Sequence, residues 1–214
     1  MKKISIIIPV FNQLDFTKQV IDSIEDNIQL SDSYELLIIN NASSDRTQEY
    51  LKIRSKFNKN IKVINLKKNI YVNPAWNLWA SRAKWEYLIF MNNDITLFKN
   101  FDVKMLAYYE WKVVCPCTLN YGQEHSFKQN SNINGTCFMI KKSDYVPVPE
   151  YLKLWYWDDF IYRTLWVNWL FESVVHWGSQ TLNTLPNVQE IIDKDTELWK
   201  WVLKVQNWSD GRFN

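Results

Sequence analysis

Short apolar runs alternate with helix-period stretches along the first hundred residues. Ile4 to Val10 is a nearly continuous apolar run, the pattern of a strand buried on both faces. Phe16, Val20, Ile24 and Ile28 follow at intervals of four, as on one side of a helix. Glu35 to Ile39 is a second buried strand, and Asn40 to Asp45 a polar loop. Asp45 with Gln48 three residues later predicts a capping box for a helix burying Tyr50, Ile53 and Phe57. Ile61 to Leu66 reads as a third strand. Asn73-Pro74 reads as N-cap and first-turn proline of a helix with the stripe Ala75, Leu78, Trp79 and Ala83. Tyr87 to Met91 is a fourth strand that ends in Asn92-Asn93-Asp94. Strand and helix alternating in this way predict an α/β fold, a mainly parallel sheet with right-handed crossovers flanked by helices.

The second half is less regular. A helix near Asp102 to Trp111 precedes strands at Val113 to Cys117 and Gly135 to Ile140, with the polar stretch Asn120 to Asn134 expected as a mobile loop between them. Asp158 to Trp166 reads as a helix, Leu170 to His176 as a strand, and Val188 to Val205 as a C-terminal helix. No repeat or linker interrupts the 214 residues, which suit one domain. The expected division is a nucleotide-binding half over 1–100, an acceptor and catalytic half over 101–185, and the C-terminal helix over 186–214.

Charge adds little: 25 Lys and Arg face 23 Asp and Glu, with no basic stripe of the kind that nucleic acid requires. Three cysteines, Cys115, Cys117 and Cys137, cannot all pair within the chain and read as packing residues in a reducing, cytoplasmic setting. No run approaches the ~20 apolar residues that span a bilayer, and none has the pattern of a signal peptide. The aromatic content is unusual, with 12 Trp, 11 Tyr and 11 Phe. Flat faces with a polar edge suit both core packing and the binding of sugars or bases.

Three polar clusters, Pro9 to Asn12, Asn40 to Asp45 and Asn92 to Asp94, stand at strand ends, where open α/β sheets bind ligands. With four glycines in the chain there is neither a dinucleotide fingerprint nor a phosphate loop. A phosphate ligand therefore needs another counter-charge, for which a metal is the natural candidate. Asn92-Asn93-Asp94 reads by itself either as the carboxylate site for that metal or as a turn that merely ends the strand.

Three of these segments, Ile6-Ile7-Ile8-Pro9-Val10-Phe11-Asn12, Leu37 to Asp45 and Leu88 to Asp94, resemble in order the signatures of family 2 glycosyltransferases with the GT-A fold. Asn69 to Asn77 is similar to the intervening "N-x-G-x-x-x-x-x-N" segment, with Ile70 and Tyr71 where a Gly-aromatic pair is usual. Gly135 to Ile140, Trp157-Asp158-Asp159 and His176-Trp177-Gly178-Ser179 resemble the acceptor-side strand, the "[ED]-D" pair and the "H-x-G-S" segment. The likeness runs over about residues 4 to 181. In two places it departs: Asn40 stands where the family has its base-reading acid, and Asn92 where the first acid of "D-x-D" is usual.

The resemblance implies a single GT-A-like, nucleotide-diphospho-sugar transferase domain. It implies a metal-dependent, inverting transfer of a hexosyl or pentosyl group from a nucleotide sugar, expected to be UDP-linked, to the hydroxyl of a glycan or similar acceptor. Asp159, with Asp158 beside it, would be the catalytic base. Pro9, Phe11, Asn12, Asn40, Asp45, Asn77, Asn92 and Asn93 would hold the donor, and Asp94 with His176 a Mn²⁺ or Mg²⁺ ion. Trp155, Tyr156 and Trp157 are expected as an aromatic wall beside the acceptor. Two alternatives stay open: a virus-encoded enzyme acting on a modified base in DNA, and a non-catalytic glycan-binding module of the same fold.

Overall fold

The computed structural model describes residues 2–109, 113–121, 127–130, 136–165, 167–177 and 187–209. Its strands are β1 (Ile4–Val10), β2 (Tyr34–Asn40), β3 (Ile61–Asn65), β4 (Tyr87–Met91), β5 (Ile95–Thr96), β6 (Val113–Tyr121), β7 (Phe127–Asn130), β8 (Cys137–Lys141) and β9 (Val167–His176). The helices are α1 (Leu14–Asn27), α2 (Thr47–Phe57), α3 (Val72–Arg82), α4 (Phe101–Ala107), α5 (Trp157–Thr164) and α6 (Val188–Ser209). The strands form one sheet in the order β3-β2-β1-β4-β8-β6-β9-β5, with β7 paired to β6. β1 runs parallel to β2 and β4, and β2 parallel to β3, as the alternating pattern requires. β8 then enters antiparallel between β4 and β6, while β6 and β9 pair in parallel.

Every residue of β1, β2 and β4 is buried, so alternate side chains feed two cores. Ile4, Ile6, Ile8, Leu36, Ile38 and Ile89 pack with Val20, Ile21 and Ile24 of α1. Ile7, Leu37, Ile39, Leu88 and Phe90 pack on the other face with Trp76 and Trp79 of α3 and Trp157 and Ile161 of α5. Four of the tryptophans, Trp76, Trp79, Trp157 and Trp199, pack in the second core: Trp76 is 1% exposed and meets Trp157 edge-on at 4.5 Å, and Trp157 stacks on Phe138 at 4.6 Å. Cys115 and Cys137 are buried and form no disulfide, and burial pushes the Cys137 thiol well above its ordinary range. Among the described residues no helix is long and apolar enough to cross a membrane.

Several local expectations are corrected. α2 buries Thr47 and Leu51, leaving Ile53 and Phe57 exposed, because it lies over the edge strand β3 and buries a narrower stripe than the pattern suggests. No capping box forms: Asp45 precedes the N-cap and accepts the N–H of Thr47 and of Leu14, joining the starts of α1 and α2. α3 starts at Val72 after Tyr71, and the buried Asn73 sits inside its first turn. Asn120, Tyr121 and residues 127–130, expected in a loop, belong to the β6–β7 hairpin. His125, Gly135, Gly178 and Ser179 lie outside the described residues.

Candidate active site

The three polar clusters meet at one edge. β2, β1 and β4 lie side by side in parallel, so their carboxyl ends come out together. Amide and hydroxyl cross-links bind the turns to one another. The N–H of Asn12 donates to Ser43 Oγ at 2.8 Å, and Asn12 Oδ1 accepts the N–H of Ser44 at 2.8 Å. Asn40 Nδ2 donates to Asn65 Oδ1 at 2.8 Å, and its Oδ1 accepts from the N–H of Ser43. Asn41 accepts the N–H of Ile70 at 2.8 Å and donates to the Tyr71 carbonyl, tying the β3–α3 loop to the same crest. Asn12, Gln13, Ala42 and Tyr71 all take positive φ in this region. Such conformations persist where the surroundings over-determine them.

Asp94 is 3% exposed. Its carbonyl accepts the N–H of Trp177 at 2.9 Å, and β5, beginning at the next residue, pairs Ile95 with His176. The backbone of His176 and Trp177 is therefore laid directly against Asp94 and Ile95; the imidazole of His176 is outside the described side chains. Thr96 fastens the junction, accepting from Gln19 of α1 and from the Trp177 indole at 2.9 Å. Among the described residues, no group of three or more His, Cys, Asp or Glu could cage a metal. One buried carboxylate at a strand end suits instead the mode in which Mg²⁺ or Mn²⁺ is held by one or two carboxylates and completed by substrate phosphates and water.

The other expected donor residues divide. Phe11 is half-buried and directly follows the end of β1. Pro9 is buried in the strand opposite Ile39, and Asn40, 1% exposed, has its amide engaged with Asn65 and Ser43. Asp45, which is exposed, bonds the N–H groups of Leu14 and Thr47. Asn93 is buried and donates to Thr17 of α1, while the backbone of Asn92 is anchored by its N–H to the Thr136 carbonyl. Asn77 departs furthest from expectation. It donates to the Val148 carbonyl at 2.7 Å and accepts from Val148 N–H and Tyr145 Oη, so its amide is taken up in holding the segment after β8.

Asp158 and Asp159 stand in the first turn of α5, after Tyr156. Asp158 Oδ1 accepts the N–H of Asp159, and Asp159 is exposed. The predicted three-residue aromatic wall is not formed. Trp157 is core, and Tyr156 stacks on Trp199 of α6 at 5.6 Å, which leaves Trp155 as the exposed ring. A cleft of about 520 Å³ opens nearby between the start of α3 and the segment leading to α5, lined by Lys68, Tyr71, Pro74, Asn77, Glu150 and Lys153 among others.

Of the two buried side chains that build this region, sequence reading took Asn73 for a helix N-cap and passed over Asp195. Asp195 carries a signal: it occupies the apolar stripe of α6, four residues after Ile191 and four before Trp199, where an acid needs a partner.

A parallel half-sheet with a polar crest, continued by antiparallel strands, defines the GT-A glycosyltransferase fold, and solved structures agree. Staphylococcus aureus TarS (residues 1–349) superposes with a TM-score of 0.69 at 13% identity, over 91% of this chain and 70% of that one. GalNAc-T7 with UDP, GalNAc and Mn²⁺ superposes with a TM-score of 0.67 at 12% identity, over 82% and 43%. The profile of Glycosyl transferase family 2 matches residues 5–165, and the chain belongs to that family. An uncharacterized glycosyltransferase of Rickettsia bellii (strain RML369-C) is 33% identical over 98 residues, 46% of this chain and 14% of that protein. Poly(ribitol-phosphate) beta-N-acetylglucosaminyltransferase TarP of Staphylococcus aureus (strain N315) is 33% identical over 95 residues, 44% and 29%. The chain thus spans a minor part of the length of these curated relatives.

Proposed function

We propose that this chain transfers a sugar, with inversion, from a nucleoside diphosphate donor to an acceptor hydroxyl. The observation that carries the reading is the convergence of Phe11-Asn12, Asn40 to Asp45 and the buried Asp94 on one sheet edge, with the His176-Trp177 backbone laid against Asp94. Phe11 stacks on the nucleoside base within turns that Asn12, Asn40 and Asp45 hold in shape. The ties made by Asn12, Asn40 and Asn41 are neutral, and the acid among them, Asp45, bonds the N–H groups of Leu14 and Thr47. Asp94, with His176 as second ligand, would hold a Mn²⁺ or Mg²⁺ ion, which supplies positive charge to the leaving diphosphate.

Asp159 takes the proton of the acceptor hydroxyl as its oxygen attacks C1 from the side opposite the diphosphate. The bond from C1 to the diphosphate oxygen breaks, and its electron pair leaves on the diphosphate. A UDP-linked donor is supported by the structures of TarS with UDP and with UDP-GlcNAc. The cleft carrying Lys68 and Lys153 suits an anionic acceptor chain, the kind of polymer named for TarP.

Nucleotide-sugar turnover with and without Mn²⁺ tests the reading. We expect EDTA to abolish turnover and Mn²⁺ to restore it. Asp94→Ala should lose at least ~100-fold in activity, the scale of a lost electrostatic contact to the transition state, while remaining folded. Full activity in EDTA, or in folded Asp94→Ala, would remove the metal from the mechanism.

A further inference from the structure

α6 lies beyond the family-matched residues 5–165, yet its buried face grips the segment that leads into α5. Asp195 is 1% exposed, and its carboxylate accepts three successive backbone N–H groups. Lys153 reaches both oxygens at 3.0 Å, Leu154 donates at 2.7 Å and Trp155 at 3.0 Å. Successive N–H groups turned toward one point make an anion-binding concavity, here filled by a side chain from another element. One residue on, Thr196 Oγ1 meets Tyr156 Oη at 3.1 Å, and Trp199 stacks on the Tyr156 ring.

The opposite side of the segment is held by α3. Asn73 Nδ2 donates to the Leu152 carbonyl at 3.1 Å and to the Trp155 carbonyl at 3.4 Å, and the N–H of Asn73 donates to the Lys153 carbonyl. Donors of the segment are thus gripped by Asp195 and its acceptors by Asn73. The next residue, Tyr156, sits at φ 63°, a left-handed conformation costly for a large side chain. It sets the direction in which α5 leaves, and hence where Asp158 and Asp159 stand.

We infer that Asp195 is a positioning residue for the Asp158–Asp159 pair, and that α6 is part of the catalytic unit. The inference rests on the reading of Asp159 as the base. A carboxylate is needed at 195 because three N–H groups share it. Asn offers one accepting oxygen and turns two donors of its own toward them.

Hydrogen exchange and kinetics on the full chain test it with wild type, Asp159→Asn, Asp195→Ala, Asp195→Asn and the Asp159→Asn/Asp195→Ala double variant. In the Asp195 variants, exchange of the amides of residues 153–160 should rise at least about tenfold while those of β1, β2 and β4 stay protected. With UDP-GlcNAc and Mn²⁺ as donor probe, Kd should stay within about twofold, and turnover should fall roughly 10–100-fold for Asp195→Ala and less for Asp195→Asn. Adding Asp195→Ala to Asp159→Asn should cost little more, since both act on one group. Unchanged exchange at 153–160 overturns the inference without reference to any substrate. A loss shared equally by Kd, turnover and all amides reduces Asp195 to general stability and overturns it too, as does full additivity in the double variant. Wild-type turnover in Asp159→Asn overturns the base assignment instead, whatever Asp195 does, so the two failures are told apart.

Discussion

The crest of the parallel half and the entry to α5 are both loops held in unusual backbone conformations, and they are held by different means. At the crest most ties are neutral: Asn12 to Ser43 and Ser44, Asn40 to Asn65, Asn41 to Ile70 and Tyr71. Its acid, Asp45, is exposed and bonds the N–H groups of Leu14 and Thr47. Before α5, a buried carboxylate grips three N–H groups from 40–42 residues away, and Asn73 grips the carbonyls from 79–82 residues away. The difference follows from what each loop faces. The Asp45 carboxylate at the crest is exposed, where water weakens its bonds, whereas the Asp195 carboxylate is enclosed and serves an exposed acid further on. A buried carboxylate on three donors makes the stronger clamp.

Breaking the chemistry of the second region should have the largest effect in this comparison. Asp159→Asn keeps the volume and the place of the side chain in α5 while removing the basic oxygen. We expect about a 100-fold loss in turnover, the usual scale for a general base, with nucleotide-sugar affinity nearly unchanged. The same loss in Asp158→Asn, with Asp159→Asn active, would move the base by one residue.

How much of this was legible in the sequence follows the same division. β1, β2 and β4 are continuous apolar runs, so pattern alone marked them and the polar residues at their ends, although the pairing of β1 with β4 skips over β2 and β3. Side-chain phase was less legible. Ile53 and Phe57 look like core by spacing but are exposed, because a helix over an edge strand buries only Thr47 and Leu51. Asn77 matched a family motif in position, yet its amide holds Val148 and Tyr145, partners some 70 residues away that no local pattern announces. The antiparallel entry of β8 and the short β5 were likewise set by long-range pairing, not by periodicity. Asp195 was the one distant contact with a visible trace, an acid in an apolar stripe.

Loosening the crest should have a smaller effect, on binding and stability rather than on turnover. Asn41 is 3% exposed and bonds both Ile70 N–H and the Tyr71 carbonyl. Asn41→Ala leaves those groups unmatched at a cost of about 1–3 kcal/mol. For a chain of this size that lowers Tm by about 2–4 °C per kcal/mol, readable by calorimetry. Weaker donor binding with turnover at saturation preserved is the expected kinetic outcome. A fall in saturated turnover with Kd unchanged would show that the crest, too, acts in the chemical step.

The smallest effect on activity is expected at the other end of the parallel strands, where the comparison supplies its control. Glu35 is a buried acid like Asp195, but it stands at the start of β2, opposite Ser5 and one strand-length from the crest. Burial by itself raises its carboxyl. The bonds from Lys62 Nζ at 2.5 Å, Ser5 Oγ at 2.6 Å and the N–H of Lys84 at 2.7 Å outweigh that, and the net result lies below the ordinary 4.5. A carboxyl whose native pKa is depressed contributes stability that is fully present above the unfolded value. That contribution drains away as the pH falls from about 4.5 through the lower native value. Denaturant titrations across that acid range should show stability declining in wild type and a shallower decline in Glu35→Gln, the two curves converging at the acid end. At neutral pH the variant should be the less stable protein with unaltered donor Kd and turnover, because Glu35 stands near the opposite end of β2 from Asn40. Equal acid slopes in the two proteins would mean that Glu35 is not held in its charged form by these bonds. A loss of turnover in folded Glu35→Gln would mean that the two ends of the sheet are coupled, and that the crest is not the self-contained unit its cross-links make it.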